Sequence, residues 1–562
     1  MKKTATFVIL ALIGSVIFSQ CSPKDEIEIP IVDAPEKDSI VPDDNDSIVT
    51  DSIVTDSITT DTVIIAEKPN PLLELIESDS SITIFCEALK ITGLDIQLEL
   101  SVDSAYNPGL YSRYYYTSDF WREVATVPDK KMNAFTLFVE TDMVLKTKYG
   151  VNDIQDLIVL AKTIYDETYS EDAGLYDEDF THPKNPLYRF VAYHILKRDV
   201  RDLNLLTGRI LNKGIVRGPI GIKTNLMNPI EWYQTLLPNT MMKCEMLTVR
   251  KWLDESSTLR NYYINRRWDD TYQFRGSEVA EPNGESATIN GRYFYIDDLL
   301  AFTTDIRDKV QNMLIRMDFS TVFPELMSQG IRQNGDPTKD DNSSVADETF
   351  QNGKNYWFPD GYLDGLKVKK GDVVYRRPHW NFWNYQGDEF NLFGDYDIEV
   401  SLPPVPFSGE WQVRLGYCAL GTRGIAQIYY DGIPQGAPLD MRIFLYDEQI
   451  LGTAFGDYNS YFSMSIQERI LDQKALKEKG YYRGPYGGYH TDGNVMNEFV
   501  TNPRTYRKVI YQGYMDHTKT HFLRIEQIGG KIGNNNEFGL DYIELVPKIV
   551  YDIPEGCMES DL

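Results

Sequence analysis

Alternation of apolar and polar residues with a period of two dominates the chain beyond residue 350. It is clearest at 411–415, 426–430 and 523–526, and Asp431-Gly432 supplies a turn directly after the second segment. Side chains of a strand point alternately to its two faces, so each segment predicts a strand with one buried face. Helical spacing returns only near 466–476. Short strands separated by Gly, Pro, Asn and Asp, with no strand–helix–strand rhythm, predict an antiparallel β-sandwich or jelly roll over 350–548.

The segment 78–302 mixes helical and strand patterns. The apolar residues of 82–89 fall on one helical face that ends at Gly93, and those of 154–165 form another face that begins after the capping pair Asn152-Asp153. Between them, 136–139 is a short run of strand-forming residues. Residues 303–349 predict a helical connector followed by a polar loop. The fold class predicted for the whole chain is therefore α+β, with more than one domain.

Four sequence boxes within 78–302 occur in the order found in fasciclin domains. They are Phe-x-x-Ala-Leu-Lys-x-x-Gly-Leu at 85–94, Thr-Leu-Phe-Val-Glu-Thr-Asp at 136–142, a tyrosine–histidine box at 190–196 and a closing strand at 290–297. The segment resembles a fasciclin domain on these boxes, with Glu140 where family members often carry Pro. The resemblance implies a fasciclin-like α/β wedge without a catalytic site, used for adhesion or protein–protein contact.

Tyr193 and His194 make up the tyrosine–histidine box, and the resemblance implies a structural role for both. In that interpretation the His194 imidazole hydrogen-bonds locally and fixes the turn. The alternative is a general base, which would need a positioned partner and an accessible pocket. The sequence indicates neither, so the structural interpretation is the prediction.

The stretches 409–417, 426–432 and 538–547 resemble strands of galactose-binding-like sandwiches, a fold shared by many carbohydrate-binding modules. Two further segments, 376–388 and 481–490, combine aromatic rings with arginines, carboxylates and amides, as sugar sites do. Their Gly, Pro and Asn content predicts loops. The candidate ligand-binding residues are Trp380, Trp383, Tyr385, Asp388, Tyr482 and Tyr486. The alternatives are that these rings pack at the edge of the sandwich or face a protein partner.

The first 20 residues have the pattern of a lipoprotein signal peptide. Lys2 and Lys3 precede a short apolar run that suits a secretory signal and is too short for a ~30 Å bilayer core. Residues 17–21 resemble a bacterial lipobox, so we predict that Cys21 becomes the acylated first residue; the alternative is an ordinary signal peptide with an incidental cysteine. Residues 22–26, Ser-Pro-Lys-Asp-Glu, resemble the acidic surface-export signal of lipoproteins in the Gram-negative lineage that builds starch-utilisation-type (SusCD-like) uptake systems. The predicted location is the outer membrane, lipid-anchored and facing the cell exterior.

An acidic segment follows the leader, with 13 acids and two lysines in residues 22–67. Like-charge repulsion and the absence of aromatics predict that 21–77 is a disordered tether. Its repeated Asp-Ser/Thr-aliphatic triplets resemble the O-glycosylation acceptors of the same lineage, with Ser39, Ser47, Ser52, Ser57 and Thr62 as candidates. The alternative is a plain low-complexity spacer.

Charge and cysteine content exclude several classes of protein. The chain has 56 Lys and Arg against 84 Asp and Glu, a net charge of −28, which argues against nucleic-acid binding and polybasic membrane docking. Five cysteines without a Cys-x-x-Cys pair, and six histidines, argue against a zinc or iron–sulfur centre. We predict buried free thiols at Cys86, Cys244, Cys418 and Cys557. Calcium often binds the resembled sandwiches, but no run of ligands is legible, so no metal or cofactor is predicted.

The function predicted from these patterns is a non-catalytic surface lipoprotein that binds ligand or serves as an accessory subunit of a TonB-dependent uptake system. Its expected partners are the transporter with its lipoprotein lid, outer-membrane lipid through the anchor, and a glycan. The first alternative is a fasciclin-type adhesin for host matrix or neighbouring cells. The second is a glycoside hydrolase, since acids are abundant, although a sequence cannot measure the roughly 5–10 Å carboxyl separation that such chemistry requires. Residues 549–562 are predicted to be a C-terminal tail.

Overall fold

The computed structural model describes residues 71–99, 102–111, 114–117, 122–200, 230–250, 258–269, 271, 273–282, 287–332, 354–377, 385, 389–447, 449–450, 460–485, 489–492, 495–498, 502–529, 537–554 and 556–559. The chain divides into two units, and all of these residues belong to the second, Glu67–Leu562. The predictions for the leader, for Cys21 and for Ser39, Ser47, Ser52, Ser57 and Thr62 lie outside the described residues. Within the described part, no helix combines the length and the apolar character needed to cross a bilayer.

An eight-stranded sheet organises the first half of this unit. Its strands are β3 (Phe135–Glu140), β4 (Ile195–Leu196), β5 (Ile230–Gln234), β6 (Met241–Arg250), β7 (Thr258–Trp268), β8 (Phe274–Ala280), β9 (Ala287–Thr288) and β10 (Gly291–Ile296). The order is β4-β3-β10-β8-β7-β6-β5, with β9 beside β10. β3 and β10 are parallel, and the remaining pairs are antiparallel. The strands predicted at 136–139 and 290–297 are confirmed as β3 and β10.

Helices cover this sheet with their apolar faces. They are α1 (Leu72–Ser78), α2 (Thr83–Ile91), α3 (Asp95–Leu98), α4 (Asp142–Tyr149), α5 (Ile154–Thr168) and α6 (Pro186–Tyr193), with a 3-10 turn at Pro108–Leu110. The two predicted helices are confirmed as α2 and α5. Asp153 caps α5 by accepting hydrogen bonds from the Gln155 and Asp156 amides, and Gly93 lies beyond α2 with a φ of +69° that favours glycine.

Two further sheets make up the second half, in the sandwich-like manner that the alternation predicts. The larger sheet has ten strands: β1 (Tyr114–Thr117), β2 (Arg122–Thr126), β12 (Asn355–Phe358), β13 (Leu366–Arg376), β14 (Glu389–Ser401), β16 (Ile425–Tyr430), β17 (Ile433–Pro434), β18 (Leu439–Asp440), β23 (Phe522–Gly529) and β24 (Phe538–Leu540). The smaller sheet has the order β11 (Ile315–Asp318), β25 (Tyr542–Pro547), β15 (Gly409–Cys418), β22 (Thr505–Met515) and β19 (Tyr481–Arg483), all antiparallel. The two sheets touch where Tyr430 stacks on Tyr511, with ring centroids 3.6 Å apart.

The remaining elements of this half are short. They are a π-helical turn at Ile306–Val310, α7 (Phe319–Val322), α8 (Pro324–Ser328), α9 (Ser460–Ser463), α10 (Ile466–Glu478), α11 (Lys548–Tyr551) and a separate hairpin of β20 (Tyr489–Asp492) and β21 (Val495–Glu498). The helix predicted near 466–476 is confirmed as α10. The predicted turn at Asp431-Gly432 is also confirmed, because both residues have positive φ and join β16 to β17 as a primed turn does. The described chain is therefore α+β with extensive mixed sheets.

Two strands cross the boundaries expected from the sequence. β2, which lies inside the segment predicted to be the first domain, pairs in parallel with β12 and brings β1 into the ten-stranded sheet. β11 lies in the predicted helical connector and pairs with β25. The segment 303–349 therefore contains a strand beside its helical elements, and this strand forms the edge of the five-stranded sheet.

Free thiols are confirmed at all four cysteines that the structure describes, but only three of these cysteines are buried. Burial raises the pKa of the Cys86 and Cys244 thiols and that of Cys418 to about 12. The prediction of burial is wrong for Cys557, which is exposed. This residue follows α11 near the end of the chain, where no strand or helix covers it among the described residues.

Candidate functional site

Only two of the six candidate ligand-binding residues are described, and both are buried. Tyr385 is 3% exposed and Tyr482 is 1% exposed. Trp380, Trp383, Asp388 and Tyr486 lie outside the described residues. The loop position expected for Tyr482 is wrong, because this residue lies in strand β19, which pairs with β22 at the edge of the five-stranded sheet. Tyr385 and Tyr482 therefore pack inside the protein, as the alternative interpretation of these aromatic rings expects.

Tyr482 lies on one side of the five-stranded sheet together with a group of buried or nearly buried charged residues. This group is here called the arginine–glutamate face. Its members are Arg316 of β11, Glu544 of β25, Arg414 of β15, and Arg507 of β22. The strand register sets Arg316 and Arg414 opposite Glu544 and sets Tyr482 opposite Arg507. Since residues opposite each other in a ladder share a face, these side chains project to the same side. The apolar residues Trp411, Val413 and Leu415 alternate with them and enter the core.

Glu544 is the centre of this face. Its Oε1 accepts hydrogen bonds from Arg316 Nε at 2.8 Å and from Arg507 Nη1 at 3.1 Å, and Arg414 Nη1 lies 3.8 Å from Oε2. Burial alone would raise the pKa of the Glu544 carboxyl, but Arg507, Arg316 and Arg414 outweigh burial and lower it to about 2. A carboxyl with this pKa carries no proton near neutral pH, so Glu544 cannot serve as a general acid there.

Arg414 holds the ring of Tyr482 in place. The guanidinium carbon lies 3.7 Å from the centroid of the Tyr482 ring. Gln412 Oε1 accepts from Arg414 Nε at 2.9 Å and from Nη2 at 2.7 Å, and Glu559 Oε2 accepts from Nη2 at 2.9 Å. Because donors on both sides of the guanidinium are engaged, its position is fixed and the Tyr482 ring packs against a rigid cation.

Tyr385 reaches the same face through Tyr542. Their ring centroids are 5.2 Å apart, and the Tyr385 amide donates to Asp541 Oδ1 at 2.7 Å. The Tyr542 ring lies over Gly416, where an added Cβ would come within 2.0 Å of the ring. Gly416 in turn lies opposite Arg507, whose other neighbour is Tyr482. These contacts form a continuous row that starts at Tyr385, passes through Tyr542, Gly416 and Arg507, and ends at Tyr482. Tyr385 and Tyr482, almost one hundred residues apart in sequence, therefore lie on one side of the five-stranded sheet.

A buried ion-pair cluster anchors the segment that contains Trp380, Trp383 and Asp388 at both of its ends. Arg376, the last residue of β13, and Glu389, the first of β14, are opposite in register, and Arg376 Nη1 donates to Glu389 Oε2 at 2.9 Å. Arg423 Nη2 donates to Glu389 Oε1 at 2.6 Å, and its Nη1 donates to Asn391 Oδ1 at 2.8 Å. Burial opposes ionisation of Glu389, yet Arg423 and Arg376 lower its pKa to about 2.

The tyrosine–histidine box lies in the core of the first half. His194 is completely buried, its Nδ1 lies 2.7 Å from the Phe190 carbonyl and its Nε2 lies 3.0 Å from a carboxylate oxygen of Glu140. Tyr193 donates to the Met241 carbonyl at 3.2 Å and accepts from Asn265 Nδ2 at 2.9 Å. Local hydrogen bonding by His194 is confirmed, and Glu140 is a partner that sequence reasoning did not identify.

No metal centre is evident in the described part of the chain, where no three His, Cys, Asp or Glu side chains are grouped to hold an ion. The arginine–glutamate face was also missed by sequence reasoning. Its signal was present as the polar residues Gln412 and Arg414, which alternate with apolar residues and suggested the solvent-facing side of a strand instead.

Comparisons with known proteins add little. No family model and no curated protein matches the chain. Among solved structures, a Paenibacillus xanthan lyase is 15% identical over 33% of this chain and 12% of its own, with a TM-score of 0.17. The β-glucuronidase 2 of Bacteroides uniformis is 10% identical over 55% of this chain and 27% of its own, also with a TM-score of 0.17. The chain thus spans about a quarter or less of these two structures, and likenesses of this size support no inference about its fold or function.

Proposed function

We propose that the chain is a non-catalytic lipoprotein of the outer-membrane surface that binds glycan as an accessory subunit of a TonB-dependent uptake system. The observation that carries the proposal is that Tyr385 and Tyr482, one from each of the two aromatic segments, lie on one side of the five-stranded sheet and are linked there through Tyr542. The leader, the lipobox at Cys21 and the acidic export signal support the surface location.

The same proposal includes the finer description of the fold. The segment 78–302 is a fasciclin-like wedge, supported by the order of α2, β3, α6 and β10 and by the parallel pairing of β3 with β10. The segment 350–548 is a galactose-binding-like sandwich, supported by two antiparallel sheets that touch through Tyr430 and Tyr511.

The proposed sugar contacts are chosen by their distance in sequence from the aromatic rings that are buried and fixed. Tyr385 and Tyr482 pack on the arginine–glutamate face and serve as fixed points. Trp383 precedes Tyr385 by two residues, Asp388 adjoins the anchored Glu389, and Tyr486 follows Tyr482 by four. In the proposal, these residues and Trp380 provide the sugar contacts, because aromatic rings stack on the CH faces of pyranoses while carboxylates take the hydroxyls.

A binding experiment tests this model directly. The double variant Trp380→Ala/Trp383→Ala should weaken retardation of the purified protein in glycan-containing gels, relative to unmodified protein, by about thirtyfold, because two ring contacts worth about 1 kcal/mol each are lost. The matched control is Tyr514→Ala/Phe522→Ala, which removes two rings that are 60% and 40% exposed elsewhere on the same sheets. Equal retardation of both double variants and the unmodified protein would refute the glycan role and leave the adhesin alternative.

The surface anchor has its own test. Metabolic labelling with palmitate should mark the unmodified protein and disappear in Cys21→Ala. Cys557→Ala is the control, since Cys557 is the exposed cysteine among the described residues and removing it should leave the label intact. Labelling that persists in Cys21→Ala contradicts the lipoprotein assignment.

A further inference from the structure

The tip of the β7–β8 hairpin carries an aromatic pair that the proposed function does not use. Trp268 and Phe274 are opposite in register, and their ring centroids are 3.4 Å apart. Although each ring covers the other, Trp268 stays 56% exposed and Phe274 stays 51% exposed. Isolated exposed rings are common, but two adjacent ones form a continuous apolar surface at the end of a stiff hairpin.

An arginine lies on each face of the hairpin, and the one on the face of the aromatic pair packs against Phe274. The Arg266 guanidinium carbon lies 4.6 Å from the centroid of Phe274, and Glu245 fixes it by accepting from Nε at 2.8 Å and from Nη2 at 2.6 Å. On the other side, Arg275 Nε donates to Asp269 Oδ2 at 2.8 Å. The Nη atoms of Arg275 make no hydrogen bond to any described residue, and its side chain is 52% exposed. Arg275 is therefore an oriented guanidinium with its outer edge free.

Asp269, the partner of Arg275, is itself held by hydrogen bonds. Asp269 Oδ1 accepts from the Thr271 amide at 2.8 Å, from the Thr271 hydroxyl at 2.7 Å and from the Gln273 amide at 2.9 Å. These bonds, led by the Thr271 hydroxyl and the Gln273 amide, hold the pKa of the Asp269 carboxyl well below its usual range. An Arg275 that is held by such a carboxylate loses little freedom when it binds a ligand.

The charge at this end of the sheet is balanced, unlike the strongly negative charge of the whole chain. The cations at this end of the sheet are Lys243, Arg266, Arg267, Arg275 and Lys309, and their carboxylate partners are Glu245, Asp269 and Asp305. Asp270 adds one negative charge in sequence and Glu278, opposite Tyr263 in register, adds another, so positive and negative charges balance at this end of the sheet. Charges more than about 8 Å away are screened at physiological ionic strength, so the net charge of −28 does not decide what binds here.

We propose that this hairpin tip is a second binding site, separate from the proposed sugar contacts, and that its ligand is an acidic polysaccharide. One sugar ring stacks on Trp268 and Phe274, and the carboxylate of an adjacent unit accepts hydrogen bonds from the Nη atoms of Arg275. Phe274 and Arg275 are consecutive residues of β8 and therefore point to opposite faces of the hairpin. Among the described residues, β10 pairs with β8 only at Val279 and Ala280, so a polymer that crosses the open edge of β8 near the tip reaches both groups.

Affinity electrophoresis in gels that contain polygalacturonate tests the proposal. Trp268→Ala and Arg275→Gln should each weaken retardation about tenfold, through loss of a stacking contact and of a charge-assisted hydrogen bond. The controls are Phe522→Ala, an exposed ring elsewhere, and Arg442→Gln, an arginine that neighbouring Asp440 holds through both Nε and Nη2. Both controls should run like the unmodified protein, and thermal unfolding should confirm that all variants fold.

Three further measurements distinguish binding of an acidic glycan at this site from binding of a neutral glycan, of an acidic peptide, or at the other proposed site. Hydroxyethylcellulose should retard the protein less than polygalacturonate does, and Arg275→Gln should leave that weaker effect unchanged. Competition by poly-glutamate as strong as that by polygalacturonate would overturn the glycan class in favour of an acidic peptide. Unchanged retardation in Trp268→Ala and Arg275→Gln would overturn the site. If retardation by polygalacturonate disappears only in Trp380→Ala/Trp383→Ala, this inference fails while the proposed function stands.

Discussion

At the scale of single residues, the most constrained contact is the buried pair of His194 and Glu140. Both side chains are 0% exposed. A carbonyl only accepts, so His194 Nδ1 must donate its proton to the Phe190 carbonyl. A hydrogen bond between Nε2 and Glu140 then needs a second proton, which is bound either to Nε2 or to the carboxylate. The pair has no net charge in either of these two states. Glu140 Oε1 also accepts from the Leu300 amide at 2.7 Å, so the carboxyl ties α6 and β3 to the segment after β10.

The hydrogen-bond balance of this pair predicts different effects for two substitutions. In Glu140→Gln the amide nitrogen can donate to His194 Nε2 while its oxygen accepts from Leu300, so the free energy of unfolding should fall by less than about 1 kcal/mol. Glu140→Ala leaves a buried imidazole nitrogen and a buried amide without partners and should cost about 3 kcal/mol. Urea unfolding followed by circular dichroism measures both. Equal losses in the two variants would show that volume, and not hydrogen bonding, decides the effect.

At the scale of elements, local pattern predicted individual strands and helices but not which strands pair. Asp153 and Gly93 delimit α5 and α2 through neighbouring residues alone, and the alternation in 411–415 determines which side chains of β15 enter the core. The pairing of Arg316 with Glu544 joins residues more than two hundred positions apart. Such a contact depends on which sheet edge is free once the fold has assembled, and no window of sequence contains that information.

The sequence could predict which aromatic residues belong to the candidate site, but it could not predict their secondary structure or burial. Tyr385 and Tyr482 were identified by composition, and the Gly and Pro around them suggested loops. Tyr482 nevertheless extends the sheet, because β22 presents an unpaired edge there. The period-two pattern around Arg414 predicted a solvent-facing side. That side is buried because its guanidinium and carboxylate groups satisfy one another, which no single strand can indicate.

At the scale of the whole described unit, a four-residue ionic cluster joins the two halves. Lys131 and Lys197 come from the first half, Glu325 lies in α8, and Asp364 precedes β13. Asp364 accepts from Lys131 Nζ at 2.9 Å and from Lys197 Nζ at 2.7 Å, and its amide donates to Glu325 Oε1 at 3.2 Å. Burial would raise the pKa of the Asp364 carboxyl, but these lysines lower it to about 2. Burial of Glu325, reinforced by the charge of Asp364, raises the Glu325 pKa to about 7.

These opposite shifts predict how stability depends on pH. The folded-state pKa of Glu325 lies above its unfolded value of 4.5, so the folded chain retains a proton that the unfolded chain releases, and stability falls as pH rises from 4.5 to 7. The Asp364 carboxyl has the opposite effect: its stabilising contribution is lost only as pH falls from 3.8 toward 2 and the carboxyl takes up a proton.

The substitution Glu325→Gln keeps an acceptor for the Asp364 amide and removes the ionisable carboxyl. Relative to the unmodified chain, the stability of this variant should therefore increase with pH between pH 5 and pH 8, by less than about 1 kcal/mol at pH 5 and by up to about 3 kcal/mol at pH 8. Unfolding midpoints at pH 5, 6, 7 and 8 give this difference, with Glu399→Gln as the control because its carboxylate pairs with Lys369 at the surface. A difference between Glu325→Gln and the unmodified chain that stays constant from pH 5 to pH 8 would show that Glu325 holds no proton in the folded state.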